Sequence, residues 1–164
     1  MNNDDALRIE LHYDHLGSRL SRIGEIEIHY DRLGSRAIAL GEIPLEYDHW
    51  GSRLRRVGDT DLEYDHMGSR LKWVGDREVH YDRMGSRMIR IGDIPMSYDH
   101  LGFRLRRFAG MELEYDWFGS RAKYVVVSDP DDLTGHNLIL LFVVLMQLAE
   151  KSSSGAASSS SSGS

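Results

Sequence analysis

Between Ile26 and Asp31 the chain alternates. Ile26, Ile28 and Tyr30 fall on one side, and Glu27, His29 and Asp31 on the other. A period of two predicts a strand with one buried face. The segment "RLSRIG" (19–24) predicts a second short strand, with Leu20 and Ile23 as its apolar positions.

Both strands recur at a fixed interval. Tyr13, Tyr30, Tyr47, Tyr64, Tyr81, Tyr98 and Tyr115 are evenly spaced along the chain, and such self-similarity decides a fold ahead of local propensity. Each unit reads Tyr-Asp, two variable residues, Gly, usually Ser, then Arg, an apolar residue, two variable positions and a second apolar residue. Gly and an acid usually follow.

The two connections differ. "IGEI" (23–26) and "IGDI" (91–94) place Gly at the first central position, as a two-residue type II′ hairpin turn requires. The longer turn, "DHLGS", predicts a Gly with positive φ and a bulge. Seven hairpins then give about fourteen short strands.

Two architectures can use such a unit. In a parallel solenoid with one coil per unit, equivalent residues stack about 4.8 Å apart. Asp14, Asp31 and Asp48 would then adjoin directly, as would Arg19, Arg36 and Arg53, and adjacent like charges are unfavourable in a sheet. In an antiparallel meander they lie two strands apart. The expected fold is therefore all-β: an antiparallel β-hairpin meander of about seven units, single-layered or rolled, with one short C-terminal helix. The β-solenoid is the alternative.

A slower period overlies the fast one. Arg32 and Arg83 replace the usual His after Tyr-Asp, "IP" recurs at 43–44 and 94–95, and "LRR" at 54–56 and 105–107. His29 and His80 share this three-unit spacing. Because proline cannot donate to a ladder, Pro44 and Pro95 predict a bend or a loosened strand pair.

The repeated positions form a structural ladder rather than a site. Tyr13, Tyr30, Tyr47, Tyr64, Tyr81, Tyr98 and Tyr115 are expected as an apolar row. Gly17, Gly34, Gly51, Gly68, Gly85, Gly102 and Gly119 set the long turns. These turns are bracketed by Asp14, Asp31, Asp48, Asp65, Asp82, Asp99 and Asp116 on one side. Arg19, Arg36, Arg53, Arg70, Arg87, Arg104 and Arg121 stand on the other, each expected to pair with the Asp and stack on the Tyr of its own unit.

His15, His49, His66 and His100 each follow Tyr-Asp, but a zinc site needs ligands converging on one point, and ladder residues form a line. Glu46 with His49 and Glu63 with His66 read as charge pairs beside the turn. Ser18 with Asp and His nearby suggests a triad only superficially, since a triad is one buried constellation. No catalytic residue, metal or cofactor is inferred, and no small-molecule substrate.

After "YVVVSDP" (124–130) the repeat stops, and an apolar run from Leu138 to Leu145 continues through Met146, Leu148 and Ala149. About twelve residues are too few to span a bilayer, which needs roughly 20. Asp131, Asp132 and Thr134 offer N-terminal capping chemistry. A helix apolar nearly all round is expected to be buried, and Leu138, Leu141, Phe142, Leu145, Met146 and Leu148 are its candidate capping or interaction residues. The predicted division is a hairpin-repeat domain (1–128), a linker with the short helix (129–150), and a disordered Ser/Gly tail (151–164).

The 164 residues suit about one domain. With a net charge of −6, and 18 Lys and Arg against 19 Asp and Glu over residues 13–127, the chain has no basic footprint for nucleic acid. Without cysteine it can form neither disulfides nor thiolate metal sites. The acidic start "MNNDDALRIE" lacks signal-peptide character, so the cytoplasm is the default location.

"YDHLGSRLSRI" resembles the YD repeats of Rhs-type and toxin-complex proteins, with Ser18 as an extra residue between Gly17 and Arg19. In "DPDDLTGHNL", the positions Asp129, Pro130, Leu133 and Gly135 are similar to the proline-glycine segment that closes an Rhs shell. The resemblance implies antiparallel hairpins winding into a large sheet that encloses cargo. The chain is short for a closed shell, shows no toxin domain and is more uniformly spaced, so the hairpin topology carries over and toxin delivery does not.

The expected function is a non-enzymatic structural or protein-interaction module presenting a regular sheet surface to a partner or to itself. The alternative is a membrane- or envelope-associated protein anchored by Leu138–Ala149.

Overall fold

The computed structural model describes residues 7–14, 19–33, 36–48, 53–65, 70–85, 87–99, 104–115, 121–133 and 135–162, without the side chains of 130, 132 and 149–162. Fourteen strands lead into one α-helix. The first five are β1 (Leu7–Tyr13), β2 (Leu20–Ile23), β3 (Ile26–Tyr30), β4 (Ala37–Leu40) and β5 (Ile43–Tyr47). Next come β6 (Leu54–Val57), β7 (Thr60–Tyr64), β8 (Leu71–Val74), β9 (Arg77–Tyr81) and β10 (Met88–Ile91). The last four are β11 (Ile94–Tyr98), β12 (Leu105–Phe108), β13 (Met111–Tyr115) and β14 (Ala122–Val127). A 3-10 turn, Pro130–Leu133, precedes helix α1, Gly135–Ser162.

Every strand pairs antiparallel with its sequence neighbours, so the solenoid is excluded. The sheet does not stay open either. β1 pairs with β14, from Leu7 opposite Val127 to Glu10 opposite Tyr124, and closes a fourteen-stranded barrel. The two free edges expected of a meander are thereby removed, because each edge satisfies the other's backbone groups.

The curvature that closes the sheet is written into each unit. Tyr13 faces Leu20 and His12 faces Arg22, which leaves Ser21 without an opposite number. The same register shift recurs at Ile38, Arg55, Lys72, Ile89, Arg106 and Lys123. Bulges increase local twist and bend the strand. They also explain a spacing that strict alternation forbids: Leu20 and Ile23, three residues apart, are both buried. The bulge thus lies on the strand after the long turn, not in the turn.

The short turns follow expectation in five units. Gly24, Gly41, Gly58, Gly75 and Gly92 have φ near +60°, while the acid after each does not have positive φ. That is type II′ geometry. The sixth turn differs: Ala109 (φ +54°) and Gly110 (φ +76°) are both left-handed, as in a type I′ turn. Gly24 also needs its bareness, since a Cβ there would lie 2.9 Å from Ile9 Cγ2.

Pro44 and Pro95 cause no loosening. Leu40 opposite Ile43 closes the two-residue turn, so the next pair, Ala39 and Pro44, is the non-hydrogen-bonded one. The N–H that Pro44 lacks has no acceptor on β4, and its carbonyl still accepts from Gly58 N–H at 2.9 Å. Arg90 and Pro95 repeat this non-hydrogen-bonded pairing.

The core explains why the barrel is filled. Leu11, Ile28, Leu45, Leu62, Val79, Met96 and Leu113 form one inward tier, all buried. Helix residues Leu138 to Val144 belong to the same apolar cluster, and all seven are buried. Seven consecutive residues cover every direction around a helix of 3.6 residues per turn, so α1 is surrounded on all sides. Fourteen strands about 4.8 Å apart give a girth of roughly 67 Å, a radius of at least about 11 Å. Inward side chains reach about 5 Å, half the spacing of packed sheets. What remains is about one helix wide.

β14 ends at the short-turn end of the barrel, where Val127 faces Leu7. α1 therefore enters from that end and heads for the long-turn end, where Leu145, Met146 and Leu148 pack against the core cluster. Asp131 and Asp132 lie in the 3-10 turn rather than at the start of α1, and Asp131 N–H donates to Asp129 Oδ1 at 3.0 Å. Thr134 lies outside the described residues. The helix backbone extends past the expected Ala149 to Ser162, and the expectation of a disordered tail rests on residues whose side chains are not described.

Candidate interaction surface

At the long-turn end the repeated residues form a ring. Tyr30, Tyr47, Tyr64, Tyr81, Tyr98 and Tyr115 donate their hydroxyls to the carbonyls of Leu20, Ala37, Leu54, Leu71, Met88 and Leu105, at 2.5 to 2.8 Å. Tyr13 donates to Ala122 at 2.7 Å and completes the circle. The rings pack against the core as expected of an apolar row, but each hydroxyl also ties one unit to the previous one.

The arginines link neighbouring units through the same ring. Arg19 lies 4.2 Å from the ring centroid of Tyr30, the tyrosine of the next unit and not of its own. Arg36, Arg53, Arg70, Arg87 and Arg104 cover Tyr47, Tyr64, Tyr81, Tyr98 and Tyr115, and Arg121 covers Tyr13. The pairing within the unit holds as read: Arg19 Nε lies 2.9 Å from Asp14 Oδ2, and four further pairs lie at 3.4 to 4.0 Å. The Asp N–H donates to the Arg carbonyl in six units, from Asp14 to Asp99, at 2.8 to 3.0 Å. Asp116 is outside the described residues.

This environment shifts the phenols. Burial pushes Tyr98 up to about 12 against the lowering pull of Arg87, and Tyr115 up to about 12 against that of Arg104. Tyr30 and Tyr81 are raised by burial as well, opposed by Arg19 and Arg70.

The long-turn glycine is described in unit five. Gly85 has φ +73°, and its N–H donates to the Asp82 carbonyl at 2.8 Å. Arg83 and Met84 are thus the central residues of a β-turn at the tip. Arg70 reaches across from the preceding unit and donates to the Gly85 carbonyl at 2.9 Å. Gly17, Gly34, Gly51, Gly68, Gly102 and Gly119 lie outside the described residues. So do His15, His49, His66, His100 and Ser18, and with them the Glu46–His49 and Glu63–His66 pairs. Glu46 instead lies 3.6 Å from Arg56, which also meets Asp61 at 2.8 Å.

The outer wall is charged and mixed in sign. Arg22, Glu27, His29, Glu46, Arg56, Asp61, Glu63 and Arg107 are exposed on β2, β3, β5, β6, β7 and β12. A wall facing lipid would carry an apolar band there. A groove of about 610 Å³ is lined by Glu46, Arg55, Arg56, Asp59, Asp61 and Glu63. Among the described residues no group of three or more His, Asp or Glu could hold a metal ion, and no helix is long and apolar enough to cross a membrane.

One feature escaped the sequence reading. Leu33 and Met84, at positions whose residue varies between units, are 88% and 86% exposed at the tips of their long turns. A signal existed. The residue before the long-turn Gly is Leu16, Leu33, Trp50, Met67, Met84, Leu101 and Phe118 in turn, large and apolar in every copy.

No family model matches the chain, and no curated protein or solved structure shows significant similarity to it.

Proposed function

We propose that the chain is a non-enzymatic interaction module, a self-plugged barrel that offers its outer wall and rims to a protein partner or to further copies of itself. The observation that carries this reading is the burial of every side chain from Leu138 to Val144 within the wall's own core. A lumen occupied by the chain's own helix holds no ligand, so the surface is what remains to be recognised. The repetition of one unit, with its polar groups engaged in ring and turn bonds, supports a scaffold over a reaction centre. The YD-repeat likeness fits the same reading through its hairpin units. Anchoring by Leu138–Ala149 would require the side chains from Leu138 to Val144 to leave the barrel.

The test is site-specific photo-crosslinking in the producing cell. A crosslinker at His29, Glu63 or Ser97 on the wall is expected to give discrete adducts, and one at Val143 only intrachain products. If no wall or rim position yields an adduct of either another protein or a second copy, the module reading is wrong.

A further inference from the structure

The two ends of the barrel differ in chemistry. The short-turn rim presents Glu25, Glu42, Asp59, Asp76 and Asp93, all exposed, and no compensating cation at those turn positions. At the long-turn rim the sequence balances seven Asp against seven Arg, one pair per unit, and adds Arg32 and Arg83. Over these turn positions alone, five acids stand at one end and a surplus of two cations at the other. Arg32 and Arg83 are both exposed, each immediately before an exposed apolar tip, Leu33 or Met84. Units two and five are three steps apart on a ring of seven, so these two tips stand on nearly opposite sides of one rim.

We propose that the long-turn rim is a docking face for an anionic lipid surface, on which Leu33 and Met84 enter the headgroup layer and Arg32 and Arg83 meet the lipid charge. Three observations select this occupant. Positions equivalent around a ring stand at one height, which suits a plane. The tip position keeps its apolarity while its shape changes among leucine, methionine, tryptophan and phenylalanine in sequence. A fitted protein pocket would discriminate among those shapes, whereas a fluid interface accepts them all. The charge segregation also orients the molecule, with the cations toward the lipid and the acidic rim away from it. The net charge of −6 masks this polarity.

Nothing in the fold needs these tips. Exposed as they are, they contribute no burial, and a polar residue would serve the turn as well. α1 leaves the lumen at the same end, so binding alone would not separate the rim from the tail; paired substitutions do.

The experiment is flotation of the full-length chain with vesicles of phosphatidylcholine alone and of phosphatidylcholine with phosphatidylserine. The chain is expected to float with the anionic vesicles, less so as salt rises. The double variant Leu33→Asp, Met84→Asp should bind about tenfold more weakly or not at all, with unchanged circular dichroism and melting. Arg32→Ala with Arg83→Ala should reduce the preference for phosphatidylserine. Failure of the native chain to float with either composition overturns the proposal, as does undiminished flotation of the Leu33, Met84 variant. Neither failure touches the module reading, which the crosslinking decides separately.

Discussion

The Tyr13 hydroxyl donates to the Ala122 carbonyl at 2.7 Å although 109 residues separate them. The same bond elsewhere in the ring joins residues ten apart, as between Tyr64 and Leu54 at 2.8 Å. Removing either hydroxyl deletes one bond, so Tyr13→Phe and Tyr64→Phe should each cost about 0.5–1.5 kcal/mol. Their local effects should differ. Amide exchange should quicken along β1 and β14 in Tyr13→Phe, at the seam, and not in Tyr64→Phe. Equal protection at the seam in both variants would mean that closure is held by the ladder alone.

The sixth short turn holds a correctable strain. Ala109 sits at φ +54°, a conformation costing an alanine roughly 1–2 kcal/mol. Ala109→Gly should raise stability by about 0.5–1 kcal/mol in urea unfolding, after allowing for glycine's freedom in the unfolded chain. Gly24→Ala should do the reverse, since it combines φ +60° with a 2.9 Å approach to Ile9.

Phe142 is fully buried within the plug. Its truncation to alanine should cost about 3–5 kcal/mol in a denaturant titration. Leu148, only partly buried, should cost clearly less. A Phe142→Ala protein as stable as the native one would mean that the helix is not part of the core.

Alkali should attack the ring before the core. Tyr98 and Tyr115 are held up to about 12, whereas in the unfolded chain a phenol loses its proton near 10. The folded state therefore keeps protons that the unfolded state gives up. Their contribution is fully present below pH 10 and is lost as pH rises from 10 through 12. Phenolate absorbance should show a late-titrating group of tyrosines in the native protein, merging with the rest in denaturant. Melting temperature should fall over the same window.

The hairpin, its type II′ turn and the Asp–Arg bracket were legible because each is local, fixed by residues within one unit. The filling of the barrel was half legible: a helix apolar from Leu138 to Leu145 announces burial but not where. Closure was not legible, since no residue of one unit specifies that Leu7 will meet Val127. It depends on summed curvature, which the bulges at Ser21 and its equivalents set and which alternating polarity hides. The donation of each Tyr hydroxyl to a neighbouring unit was obscured for a similar reason, because a ring read as apolar conceals its one polar atom. Pro44 misled because its missing N–H matters only when the ladder asks for it.

The plug also acts as a gauge. A repeat array can in principle grow by any number of hairpins, but a wall of twelve strands would pinch the helix from Leu138 to Val144, and one of sixteen would stand away from it. Only a girth of fourteen strands leaves about one helix of space. The segment that lies outside the repeat thus fixes how many repeats the barrel can count.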